Sequence, residues 1–174
     1  MEVSQITIKT ERFLLRKLEV KDASLRYLSW FDCVDVKTHI LASTKMRALE
    51  DLELYIEKKN NSKNTLFFGI FCLDTGLHIG NIKYEPIDFI ARFSIVGILI
   101  GEENWRGRGV ATEVIKHSSM WLHERFNMEK IVLSVNVDNI AAVRAYEKAD
   151  FKKRKTPYIE IIHEKQLTMV LDFK

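Results

Sequence analysis

The stretch Gly97-Ile98-Leu99-Ile100-Gly101-Glu102-Glu103-Asn104-Trp105-Arg106-Gly107-Arg108-Gly109-Val110-Ala111-Thr112-Glu113-Val114-Ile115 reads as a strand, a turn and a helix that opens on glycines. Ile98, Leu99 and Ile100 are apolar and mostly β-branched, which predicts a strand covered on both faces. Gly107 and Gly109 can take left-handed backbone angles and put no Cβ in a ligand's way. Beyond them Val110, Ala111, Val114, Ile115, Trp121 and Leu122 recur at helical spacing. The first N–H groups of such a helix have no carbonyl to bond, so they attract anions, and Arg106 and Arg108 add positive charge beside them. The stretch therefore predicts a cradle for a diphosphate over residues 106–111. Two other phosphate motifs do not fit: Thr112 stands where a dinucleotide fingerprint has its third glycine, and no Gly-Lys-Ser/Thr follows as in a P-loop.

The 174 residues suit one domain over the whole chain, with a sizeable core. A net charge of +3 is compatible with an anionic ligand but too mild to argue for nucleic acid. The two cysteines, Cys33 and Cys72, form no Cys-x-x-Cys pair, and with no secretory pattern they point to reduced thiols in a cytoplasmic protein. The histidines are scattered, so no metal site is expected, and no apolar run is long enough to span a membrane.

Working outward, residues 6–17 read as an opening strand, and Asp22 as the N-cap of a helix through Leu25, Leu28 and Trp30. A second helix is expected from Ala48 to Lys59, with Leu49, Leu52, Tyr55 and Ile56 on one face. Strands follow over Thr65–Leu73 and His78–Tyr84, joined at the turn signal Asp74-Thr75-Gly76, with Pro86 ending the second. Phe89–Ile100 is the next strand. After the glycine-opened helix, Ile131–Val135 reads as a strand parallel to it, because a strand, helix, strand succession in one sheet requires a right-handed crossover. Asn139 caps a helix through Ala142, Val143 and Tyr146, and Phe151–Arg154 and Glu160–Leu171 supply the last strands. The fold class is α+β in three layers. It has a mixed, mostly antiparallel sheet of about seven strands with helices on both faces.

Arg106, Gly109 and Ala111 fit Arg-x-x-Gly-x-Ala, which resembles the acetyl-CoA signature of the GCN5-related N-acetyltransferase family. The phrases Thr10-Glu11-Arg12-Phe13-Leu14-Leu15-Arg16 and Ile79-Gly80-Asn81-Ile82 resemble the branch that acetylates ribosomal-protein alanine, polyamines and amino sugars. Asn139-Ile140-Ala141-Ala142-Val143-Arg144-Ala145-Tyr146-Glu147-Lys148-Ala149-Asp150-Phe151 resembles the family's Asn-x-x-Ala-x-x-x-Tyr-Glu-Lys-x-Gly-Phe, with Asp150 in the glycine position. Asp tolerates left-handed angles better than most residues, so the turn can form.

The resemblance implies the acyl-CoA N-acyltransferase fold with a splayed parallel pair, the first strand bulged, and acetyl-CoA as co-substrate. It places the pantetheine arm on the main chain of Ile98, Leu99 and Ile100 and on Asn139, and the pyrophosphate on Arg106, Gly107, Arg108, Gly109, Val110 and Ala111. Tyr146 becomes the general acid. The general base is open: the family's usual glutamate position holds Ile95, leaving Glu85, Glu102 or a water on Ser134. Trp30, Phe31 and His39 fall where the family covers its acceptor, although Trp30 and Phe31 read more readily as core and His39 as a solvated loop residue. The implied activity is direct acetyl transfer to a primary amine in a ternary complex, with a small molecule of amino-sugar or polyamine type as acceptor. Alternatives are acetylation of a protein N-terminus and a non-catalytic acyl-CoA-binding module. No nucleic-acid or membrane partner is expected, and the oligomeric state, a homodimer included, stays open.

Overall fold

The computed structural model describes residues 6–32 and 47–173, so the expectations for Cys33 and His39 lie outside the described residues. Eight strands form one sheet in the order β1-β2-β3-β4-β5-β6-β8-β7. They are β1 Thr7–Lys9, β2 Phe13–Lys17, β3 Leu66–Cys72, β4 His78–Asp88, β5 Phe93–Ile100, β6 Lys130–Asn136, β7 Lys152–Lys153 and β8 Gln166–Asp172. The helices are α1 Leu25–Ser29, α2 Leu49–Asn60, α3 Val110–Phe126 and α4 Ile140–Lys148. Among the described strands, β5 and β6 are the parallel pair, joined through α3. Every other pairing is antiparallel.

Several boundaries differ from those read off the sequence. Residues 6–17 form a hairpin, β1 and β2, because Thr10 turns the chain: its N–H bonds the Phe13 carbonyl at 2.8 Å and its hydroxyl accepts the Phe13 N–H at 3.0 Å. Ser24, not Asp22, caps α1 by accepting the Tyr27 N–H. Asp22 instead takes both guanidinium nitrogens of Arg16 at 2.6 and 2.7 Å. Strand β4 runs through Pro86, after a cis peptide, to Asp88. The last strands are shorter than expected, and Phe93 rather than Phe89 opens β5.

Side chains alternate between the two faces of the sheet. On the first face α3 and α4 bury Val110, Val114, Ile115, Leu122, Val143 and Tyr146 against Leu15, Phe68, Ile70, Ile82, Tyr84 and Leu133. On the second face α1 and α2 bury Tyr27, Trp30, Leu52 and Ile56 against Leu18, Phe67 and Phe71. A separate small cluster covers the far side of that face, where Phe93, Val132 and Val170 pack with Ile95, Tyr158 and Ile159. Gly97 lies between the two clusters of the second face, since Leu99 packs with one and Ile95 with the other. Gly97 is exposed, and open space surrounds the point where a Cβ would stand.

Candidate active site

The parallel ladder is short. Phe93, Ser94 and Ile95 pair with Lys130, Ile131 and Val132, and there the pairing stops. Strand β5 stays bonded to β4 as far as Ile100, and β6 to β8 as far as Asn136. The two strands therefore diverge after Ile95, leaving residues 96–100 and 133–136 each with one unpaired edge. Backbone N–H and C=O groups along such an edge need partners.

The expected bulge is present but on the neighbouring strand. Tyr84 faces Val96 and Ile87 faces Ser94, so the extra residue belongs to β4, at Glu85-Pro86, opposite Ile95. An extra residue bends its strand and raises local twist, and here it does so at the level where β5 leaves β6. One expectation is corrected: Ile98, Leu99 and Ile100 are half-buried rather than fully covered, Ile98 and Ile100 packing on the first-face core and Leu99 on the second, while the edge of the strand toward β6 is open.

At the end of the divergent strand the chain makes a short turn and enters α3. Gly107 and Gly109 have φ of +72° and +75°, where a side chain is strained, and a Cβ at Gly107 would meet open space. Gly109 is the N-cap, and no side chain caps the helix. The first helical bond runs from the Glu113 N–H to the Gly109 carbonyl at 3.0 Å, so the amides of Val110, Ala111 and Thr112 precede the ladder. Free amides at the start of a long helix, with glycines on the approach, suit a diphosphate.

The turn is held by residues that the pattern of the signature did not single out. Glu113 accepts the Thr10 hydroxyl at 2.7 Å, the Arg12 N–H at 2.8 Å and the Arg12 Nε at 2.7 Å. Arg12 Nη2 also donates to the Arg108 carbonyl at 3.1 Å. Burial works to raise the Glu113 pKa, but the hydrogen bonds from Thr10 and Arg12 outweigh it and hold the carboxyl below its ordinary value. The hairpin turn thus clamps the cradle, and its Thr-Glu-Arg phrase was a signal for that, legible only as strand sequence. Arg106 turns inward: its Nε donates to the Ile100 carbonyl at 3.1 Å and its Nη2 to the Gly101 carbonyl at 3.4 Å. Arg108 lies on the exposed rim.

Tyr146 is buried in the last turn of α4, with its ring tilted against Phe151. Burial alone pushes its phenol up to about 12, so it stays protonated at neutral pH. The Asn139 side chain accepts the Ala142 N–H at 3.2 Å and sets the start of α4. The Thr112 hydroxyl donates to the Ala145 carbonyl at 3.2 Å, which ties the cradle helix to the residue before Tyr146. Asp150 has a φ of +71°, the left-handed turn in which the resembled phrase has glycine.

The remaining candidates fall on the second face. Trp30 is buried, and its ring fills the space over Gly101, so that a Cβ there would overlap it. Its Nε1 donates to Glu102 at 3.0 Å, leaving that carboxylate bound to the indole. An open cleft of about 340 Å³ beside them is lined by Arg26, Trp30, Glu102, Asn104 and Arg106. Phe31 is core. Glu85 accepts from Lys59 at 2.6 Å, from Thr65 at 3.0 Å and pairs with Lys83 at 2.8 Å. Burial would raise its pKa, but the bonds to the two ammonium groups win and bring it down to about 2. Ser134 is exposed on the unpaired edge of β6.

A model of the acetyltransferase (GNAT) domain matches residues 12–152. The chain belongs to the GNAT family of N-acetyltransferases. Among relatives, the GNAT chain is 37% identical over 75 residues to an N-alpha-acetyltransferase of Saccharolobus solfataricus; that match spans 43% of this chain and 44% of the relative. It is 25% identical over 148 residues to an uncharacterized N-acetyltransferase, p20, of Bacillus licheniformis, covering 84% and 83% of the two chains. The GNAT fold is shared with a solved ribosomal L7/L12 alpha-N-protein acetyltransferase in complex with coenzyme A. That likeness has a TM-score of 0.83 at 14% identity, over 96% of this chain and 98% of the other. Among the described residues of this GNAT chain, no group of three His, Cys, Asp or Glu side chains could hold a metal ion, and no helix is long and apolar enough to cross a membrane.

Proposed function

We propose that the protein transfers an acetyl group directly from acetyl-CoA to the primary amine of a small molecule, in a ternary complex. The observation that carries this reading is the parting of β5 from β6 after Ile95, with a glycine-opened helix start at its mouth. Acetyl-CoA supplies the acetyl group as a thioester. The amides of Gly107, Arg108, Gly109, Val110 and Ala111 take its diphosphate, with the Arg108 charge on the rim. Arg106 serves by holding the end of β5 in place. The open edge of Ile98, Leu99 and Ile100 suits the amide-bearing arm, and an edge N–H there stabilises negative charge developing on a carbonyl oxygen. Asn139 keeps α4 in position beside that edge.

In the transfer the amine nitrogen bonds to the acetyl carbon and the carbon–sulfur bond breaks. Tyr146 gives its phenolic proton to the departing sulfur, and the proton that the acylated nitrogen then loses returns to Tyr146 through water. Burial raises the phenol's pKa, so the phenol holds its proton until negative charge builds on the sulfur. A free amine has a pKa of about 10.4, so it must lose a proton before it attacks. Glu85, saturated by two ammonium groups, is a weak base. Proton removal therefore goes to water at the open space beside Gly97 and Ser134, and Glu85 acts through the lysines that it positions.

A second reading, acetylation of a protein N-terminus, draws support from the 37% identity to an N-alpha-acetyltransferase. Thiol release from acetyl-CoA, measured against a panel of small amines and N-terminal peptides, tests the proposal. Turnover on a small amine supports it, turnover on peptides alone favours the second reading, and tight coenzyme A binding with no turnover on any amine leaves a binding module.

A further inference from the structure

Lys83 stands directly across the β4–β5 ladder from Gly97, two residues beyond Ile95, where β5 and β6 part. Its side chain belongs to the second face of the sheet: Nζ lies 3.5 Å from the Tyr55 hydroxyl of α2 and 2.8 Å from Glu85. This is the face opposite the core that contains α3 and Tyr146. It is also the face on which Gly97 leaves a gap between the α1–α2 cluster and the Phe93–Tyr158 cluster. In the transfer proposed above, an acceptor that reaches the acetyl group from the side opposite the α3 core enters there.

The charges around the gap do not cancel. Glu85 is one carboxylate facing two ammonium groups. Lys59 bonds both of its oxygens and keeps only 14% of its side chain exposed. Lys83 bonds one oxygen and keeps 30% exposed. Two ammonium groups against one carboxylate leave a net positive charge, and Lys83, the more exposed of the two lysines, presents it at the rim of the gap.

We infer that Lys83 makes this acceptor face select small amines that also carry an anionic group, a carboxylate or a phosphate, over polycationic amines. The inference rests on the acceptor face proposed above. A polyamine would bring like charge against Lys83, whereas an anion gains a charge-assisted hydrogen bond from the third N–H of an ammonium already bonded to Glu85 and Tyr55. Of the acceptor types suggested by the sequence, a phosphate-linked amino sugar fits and a polyamine does not.

The test measures binding of acceptors to the coenzyme A-loaded protein by calorimetry, alongside turnover. The probes are matched pairs: an amino-sugar phosphate against the free amino sugar, an amino acid against its amide, and spermidine. The expected result is tighter binding of the charged member of at least one pair, and the pair that discriminates tells phosphate from carboxylate. In Lys83→Gln that preference falls about tenfold, the size of one charge-assisted bond at a half-exposed site, while coenzyme A affinity holds. Spermidine bound more tightly than either anion, or a preference unmoved in Lys83→Gln, overturns the inference. Because binding is read separately from turnover, a protein that discriminates but never transfers acetyl sinks the transferase reading and leaves the charge selection standing.

Discussion

The Arg106 guanidinium donates from Nε to the Ile100 carbonyl at 3.1 Å, joining the residue that begins the Arg-x-x-Gly-x-Ala signature to the last residue of β5. The signature arginine thus acts on the protein's own backbone, fixing the distance between the unpaired strand edge and the helix start. Replacing it with alanine removes a charged hydrogen bond worth about 1.5–3 kcal/mol. Arg106→Ala is expected to lower the urea midpoint and to raise the KM for acetyl-CoA. A KM that rises with no loss of stability would assign Arg106 to the ligand instead.

Tyr146→Phe deletes one hydroxyl and leaves the ring packed against Phe151. Loss of a general acid is expected to lower kcat about a hundredfold, with coenzyme A affinity nearly intact. Thiol-release kinetics and a binding titration check both halves, and an unchanged kcat removes Tyr146 from the acid role.

Gly109→Val places a branched side chain at a φ of +75°. The backbone strain alone is about 1–2 kcal/mol, and the side chain stands over the free amides of α3. The KM for acetyl-CoA is expected to rise well beyond what the thermal shift explains. A KM that does not move, in a variant that still folds, puts the diphosphate elsewhere.

Glu85 links stability to pH. Its folded pKa of about 2 lies below the ordinary value of 4.5, so its contribution is complete above about pH 4.5 and is lost as the pH falls toward 2. Glu85→Gln leaves Lys59 and Lys83 facing each other without a carboxylate. The stability gap between wild type and Glu85→Gln is expected to be widest near neutrality and to close over that acid window, as read from urea midpoints at several pH values. Because the amine attacks as the free base, kcat/KM is expected to rise with pH toward the pKa of the amine supplied, in Glu85→Gln as in wild type; a rise present in wild type and lost in Glu85→Gln would restore Glu85 as the base.

The parts of the fold that local chemistry dictates were legible in the chain. Gly107 and Gly109 announced a helix start because their backbone angles are needed there, and α3 begins at Val110. Asn139 read as a cap and is one. Asp150 read as a tolerable left-handed residue and has that conformation. What escaped was set by partners distant in sequence. The Glu113 carboxylate meets Thr10 and Arg12 about a hundred residues away, and no periodicity reports such a pairing. Pro86 read as a strand stop because proline cannot donate to a ladder, yet here it falls within the bulge, where no such bond is required. Ile98, Leu99 and Ile100 looked like fully covered strand because apolar composition cannot tell a strand flanked on both sides from one whose edge is open.

The sheet keeps separate cores on its two faces, with Tyr146 and the cradle helix in one and Trp30, Tyr55 and Lys83 on the side of the other. Distant sites that share no neighbours respond to substitution independently. Substitutions deep in the α1–α2 core are therefore expected to add to those deep in the α3–α4 core, whereas changes at Trp30 are expected to couple to changes at Arg106, because both meet Gly101.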